Sequence, residues 1–117
     1  MKGQSMPAMI KLLRIYTDEL AFTGDRRSLE VIASRALKEA LAGVTVLEAT
    51  LGFGASAHVH RRHALESDRS VVIEIVDEEE RLRAFATSLD DITGIGLMTL
   101  ENVEVLFRAA APEPRKQ

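Results

Sequence analysis

Apolar residues in this chain switch between two spacings in a fixed order, and that order leaves few folds open. In SVVIEIVD, residues 70 to 77, Val71, Ile73 and Ile75 share one face at period two, as a strand lying on a core requires. MIKLLRIYT, residues 9 to 17, is rich in β-favouring residues and too short for a typical helix, which makes it a first strand. VTVLEATLGF, residues 44 to 53, repeats the alternation and predicts a strand with Leu47, Ala49, Leu51 and Phe53 toward the core. Between these two strands, Leu29, Ile32, Ala33, Ala36, Leu37, Ala40 and Leu41 recur at helical spacing, and Gly43 stands where a helix-ending glycine is expected. After residue 77, Leu82, Phe85, Ala86 and Leu89 form a second helical stripe. Asp77 is placed to cap this helix with Glu80 three residues on, and the acids from Asp77 to Glu80 suit the positive end of its dipole without a metal. DDITGIG breaks the helix, and LMTLENVEVLF, residues 97 to 107, returns as a last strand with room for a bulge.

The resulting order, βαββαβ, holds two right-handed crossovers. It predicts an α+β, ferredoxin-like fold: a four-stranded antiparallel sheet with both helices on one face. The 117 residues make one domain, placed at 8–108, with flexible termini at 1–7 and 109–117. The open sheet face is expected to carry Val44, Val46, Glu48 and Thr50 from the second strand and Val72, Glu74 and Val76 from the third, with Glu48 and Glu74 paired to Arg14. So apolar a face predicts a homo-oligomer that covers it.

Charge narrows the choice of partners. Fifteen Lys/Arg against eighteen Asp/Glu leave a net charge of -3, which excludes a whole-molecule match to nucleic acid or an anionic membrane, so an anion site has to be local. There is no cysteine for a disulfide or a thiolate metal site. MKGQSMPAM lacks the apolar stretch of a secretory signal, and no segment reaches the roughly 18 apolar residues of a membrane span, so direct membrane insertion is not expected and a cytoplasmic location is.

One stretch stands apart, GFGASAHVHRRH at residues 52 to 63. Its histidines, His58, His60 and His63, are the only three in the chain, and a metal would need them to converge at about 2.0 to 2.1 Å. Their spacing matches no familiar zinc pattern, and Arg61 and Arg62 repel a cation. Solvated loop histidines, and a cluster that meets an anion or a partner protein, are the other two readings. Gly52 and Gly54 around Phe53 permit close backbone approach, so the amides of Gly54, Ala55 and Ser56 can form an anion nest; a bulge at a strand end accounts for the same glycines.

Catalysis has little to stand on. No cysteine nucleophile and no strand-to-helix serine elbow are present, Ser56 has no evident orienting acid, and Asp90 and Asp91 read as solvated helix-end residues. A non-enzymatic protein is expected.

KLLRIYTDE, AGVTVLEATLGFGAS, VVIEIVDEEE and GLMTLENVEV together resemble an uncharacterised PII-like family, the domain of unknown function of DUF190/UPF0166 type. GVTV, GFG, IEIV and TGIG are more distantly similar to the PII nitrogen-regulatory signalling proteins. That resemblance implies a homotrimer of ferredoxin-like subunits that binds an adenine nucleotide (AMP, ADP or ATP) in inter-subunit clefts, without a metal. It further implies regulation of a partner protein, a membrane transporter being one candidate, through a loop at residues 54–69 that carries His58, His60, Arg61, Arg62 and His63. Residue by residue, Thr45 stands near the adenine and the backbone of Glu74, Ile75 and Val76 lines its pocket. Gly52, Phe53, Gly54, Ala55 and Ser56 form the loop base near the phosphates, and Gly94 and Gly96 approach from a neighbouring subunit. The PII pattern has a lysine after its glycine turn and a basic segment beyond the last strand. Here Leu97 and Met98 follow Gly96 and the last candidate is Arg108, which favours fewer phosphates. A divalent-metal-binding regulator using His58, His60 and His63 is the alternative.

Overall fold

The computed structural model describes residues 9–48, 51–53, 59–61 and 70–109. Its elements are β1 (Ile10–Asp18), β2 (Phe22–Thr23), β3 (Arg26–Arg27), α1 (Ser28–Lys38), β4 (Thr45–Glu48), β5 (Leu51–Phe53), β6 (Val59–Arg61), β7 (Ser70–Glu78), α2 (Glu79–Thr87) and β8 (Leu97–Asn102). The main sheet has four strands in the order β4-β7-β1-β8, all antiparallel. Both α1 and α2 pack on one side of it, which is the ferredoxin-like arrangement that the period changes imply.

Strands β1 and β7 are central, and their alternation fixes the core. Ile15 opposes Ile73 and Leu13 opposes Ile75, and these four are at most 2% exposed. Ile32 and Ala36 of α1, Leu82 and Phe85 of α2, and Leu89 and Ile92 beyond it close over them. Leu37, placed by periodicity on the buried stripe of α1, is instead 81% exposed, because the helix ends beside it.

That ending does not use Gly43. The Leu41 N–H donates to the Ala36 carbonyl and the Ala40 N–H to the Leu37 carbonyl, both at 3.0 Å, which is a Schellman closure with Ala40 in the left-handed region at φ 58. A β-carbon in that conformation is strained. Ala40→Gly should therefore raise stability by about 0.5 to 1 kcal/mol, seen as a higher denaturation midpoint at unchanged m-value.

The edge strand β4 differs from expectation in register. Val46 opposes Ile73 and Glu48 opposes Val71, so these two lie on the helix side; Thr45 opposes Glu74 and Leu47 opposes Val72 on the open side. A one-residue shift exchanges the faces of a strand. Leu47 is thus not a core residue, and Glu48 does not join Glu74 beside Arg14. The open face carries Leu47, Val72, Tyr16 and Leu97 in one row and Thr45, Glu74, Arg14 and Thr99 in the next. Arg14 donates to Glu74 at 2.9 Å and to Glu101, and the bond to Glu74 pushes its pKa further up.

Four further differences have local causes. Residues 51–53 of the expected second strand form β5, which pairs with β6 as a separate ribbon and not with the main sheet. Strand β8 ends at Asn102, and residues 103–109 have no regular structure. A hairpin, β2 with β3, stands between β1 and α1 where the period changes announce no element; its two-residue turn begins at Gly24 with φ 66, as a primed turn requires. Asp91 is not merely solvated: it accepts two bonds from Arg35, at 2.8 and 2.7 Å, which hold its carboxyl below the ordinary aspartate value.

Candidate functional site

A cleft of about 320 Å³ opens at the Ile10 end of β1, where the sheet meets the α1–β4 connection and residues 103–109. Its walls are Ile10, Ala42, Gly43, Thr45, Glu74, Val76 and Asp77, with Val105, Phe107 and Arg108 closing one side. Each part follows from local folding. Antiparallel pairing sets Thr45 directly opposite Glu74, so the hydroxyl and the carboxylate share one row of the open face. Val76 lies two residues along the same face.

Two carboxylates in the wall are already neutralised. Glu74 is engaged by Arg14. Asp77, 5% exposed, accepts the Ala42 N–H at 2.9 Å, its neighbour Glu78 N–H at 2.7 Å and Arg81 at 3.2 Å. Arg81 in turn donates to the carbonyls of Glu39 and Ala40. Asp77 is therefore not the helix cap that its spacing to Glu80 suggests. Glu78 occupies the N-cap position without a side-chain cap bond, and the first helical amide, Glu79 N–H, goes to the Met9 carbonyl at 2.8 Å. Asp77 instead ties β7 to the end of α1 and fixes the back of the cleft.

Of the expected nucleotide residues, Thr45, Glu74 and Val76 line this cleft together. The side chain of Ile75 points away into the core at 0% exposure, leaving only its backbone for a ligand. Gly52 and Phe53 lie in β5, with Gly52 opposite His60 and Phe53 opposite Val59. The glycine base and the histidine arm are thus partly zipped together, and the segment 54–69 contains strand β6. Gly54, Ala55, Ser56, His58, Arg62 and His63 lie outside the described residues. Among the described residues no group of three His, Asp or Glu is placed to hold a metal.

Gly94 and Gly96 lie just before β8, the opposite edge strand of the sheet. Strands β4 and β8 are separated by three strand spacings, about 14 Å, so one chain does not bring TGIG to Thr45. The turn is instead tied to the far end of β1. Gly96 N–H donates to the Tyr16 carbonyl at 2.8 Å, Thr17 Oγ1 to the Gly94 carbonyl at 2.8 Å, and Ser28 Oγ to the Thr93 carbonyl at 2.6 Å. Thr23 Oγ1 accepts the Thr93 N–H at 3.0 Å.

Sequence reasoning missed Phe107, read as the end of a strand, Gly43, read as a helix stop, and Ala42 beside it. An aromatic beside Arg108, just before AAAPEP, is the signal that was available.

Among the described residues no helix is long and apolar enough to cross a membrane. Comparison with solved structures finds a likeness to the divalent ion tolerance protein CutA1 from Ehrlichia chaffeensis, with TM-score 0.54 and 10% identity over 89% of this chain and 88% of that one. At that identity the likeness shows the fold. A UPF0166 protein from Aquifex aeolicus is 39% identical over 101 residues, covering 83% of this chain and 93% of its own length. The family model described as "Uncharacterized ACR, COG1993" matches residues 10–105, and the chain belongs to that DUF190 family.

Proposed function

We propose that this protein is a PII-like regulator that binds an adenine nucleotide at clefts between the subunits of a homotrimer and acts on a partner protein through residues 54–69. The observation that carries this reading is the cleft, in which Thr45, Glu74 and Val76 converge beside an open sheet face suited to a second copy. Its wall is mixed in the way ligand pockets are, with apolar surface and a few placed polar groups. The exposed row of Leu47, Tyr16 and Leu97 supports coverage by another subunit, which would bring its own TGIG turn toward the cleft. Binding rather than turnover is the event, and nucleotide occupancy changes the population of loop states that the partner recognises.

Calorimetry with AMP, ADP and ATP, with native mass spectrometry of the same preparation, tests this. Expected are a trimer mass and saturable heat with at least one nucleotide. A monomer at micromolar concentration, or no heat with any of the three, refutes it.

The metal-binding reading draws on one finding, the fold shared with a protein described as conferring divalent ion tolerance. It would use His58, His60 and His63. Divalent-metal affinity that a triple His→Ala variant abolishes, without nucleotide binding, would favour it.

A further inference from the structure

Two exposed apolar patches lie at opposite ends of β1. Residues 103–109 carry one: they run from β8 to the Ile10 end of the sheet, because Val105, Phe107 and Arg108 line the same cleft as Ile10 and Thr45. In this tail Leu106 and Phe107 are 89% and 85% exposed. The turn and hairpin that follow Asp18 carry the other patch, in which Leu20 and Phe22 are exposed. Strand alternation turns Phe22 away from Thr23. Thr23 is held inward, where its Oγ1 shares a 2.7 Å bond with the fully buried Ser28 hydroxyl and accepts the Thr93 N–H at 3.0 Å. Phe22 is thus presented to water on a pinned support. The nine residues of β1, at about 3.3 Å each, set the two patches about 26 Å apart, so within one chain they do not meet.

We propose that the tail patch of one copy docks on the hairpin patch of the next, with Leu106 and Phe107 against Leu20 and Phe22, so that the homotrimer closes head to tail. This rests on the homotrimer reading above and deepens it by naming the contact. Three observations select a second copy as the occupant. The patches are different surfaces at opposite ends of the subunit, as a heterologous interface requires, and a repeated contact of that kind can close into a ring. Their flanking charges are opposite: Glu104 leads into the tail patch, Arg26 stands beside the hairpin patch, and both are exposed. The contact also completes the cleft. Thr23 and Ser28 bond the hairpin to Thr93 of the TGIG turn, while the tail lines the cleft. Joining the two sets the turn of one copy beside the Thr45 wall of the next, which the separation of β4 from β8 denies to a single chain. Removal of both apolar surfaces from water drives the contact, with the two phenylalanines as its anchors.

Native mass spectrometry of the full-length chain and of two variants, followed by cross-linking, tests the contact. Phe22→Asp and Phe107→Asp should each lose the trimer mass and give monomer at the concentration where the unsubstituted chain is a trimer. Both rings are exposed in the single subunit, so the circular dichroism spectrum should not change. The chain has no cysteine, so a chain carrying both Arg26→Cys and Glu104→Cys reads the contact without background. A short bismaleimide should link three copies of it covalently, and either substitution alone should give no link. A trimer mass that persists in Phe22→Asp or Phe107→Asp, no link in the doubly substituted chain, or a link with one substitution alone overturns the head-to-tail contact while leaving the homotrimer intact. An unsubstituted chain that is monomeric at micromolar concentration overturns both.

Discussion

Gly94→Ala is expected to lower stability by about 3 kcal/mol, with a fall in Tm on the order of 10 °C. Two separate costs add. The residue has φ 94, a backbone conformation that side-chain-bearing residues rarely adopt, and strain of this kind costs roughly 1 to 3 kcal/mol. A methyl placed there would also stand 2.4 Å from the Ala21 β-carbon, and overpacking of that order costs roughly another 1 to 3 kcal/mol. The turn cannot move aside easily, because Thr93, Gly94 and Gly96 are bonded to Thr17, Ser28, Thr23 and the Tyr16 carbonyl.

The double variant Ala21→Gly with Gly94→Ala separates the two costs, since it relieves the clash and keeps the strain. It should recover about half of the loss. A thermal scan thus distinguishes two roles for TGIG that the sequence leaves open. If Gly94→Ala leaves Tm unchanged and weakens only nucleotide binding, the glycine serves a ligand and the scaffold role is wrong.

How much the sequence reveals depends on how strongly each strand is pinned by its two neighbours. Strands β1 and β7 are flanked on both sides, so a slip in either would move Ile15 or Ile73 from complete burial to the open face, and their alternation is unambiguous. Strand β4 lies at an edge, where Val46 and Leu47 are 41% and 46% exposed. Their apolar signals nearly balance, so pattern alone chooses the wrong face. The end of α1 is hidden for a different reason: Ala40 takes the left-handed turn usually given to glycine, while a glycine waits three residues later.

The site divides along the same line. Thr45 and Glu74 are legible through family resemblance, and pairing then sets them side by side. Phe107 is invisible to periodicity because residues 103–109 follow no regular element. Their placement against β7 and the α1–β4 connection is a tertiary fact. Asp77 looks like a helix cap from spacing, since Glu80 follows three residues on, whereas Ala42, whose amide it accepts, is distant in sequence and close in space.

Asp77 also carries the second large effect. Replacing it with alanine removes the acceptor for the Ala42 and Glu78 amides and the counter-charge of Arg81 in one step. Losing buried acceptors leaves their donors unpaired, and a loss of about 2 to 3 kcal/mol is expected; partial exposure of Arg81 keeps it below the cost of a fully buried broken pair. Asp77→Asn keeps one carbonyl oxygen but turns an amide toward one of the donors, so it should lose less. Arg81→Met, which removes the bonds to the Glu39 and Ala40 carbonyls and keeps the aspartate on its amides, should cost about 1 kcal/mol. Urea denaturation of the three variants at constant m-value reads that order directly. If Arg81→Met proves as damaging as Asp77→Ala, the weight lies on the carbonyls at the end of α1, and Asp77 matters only through the arginine it holds. If the order is as expected, the amide of Ala42 is the bond that matters, and with it the position of the Ala42 and Gly43 wall of the cleft.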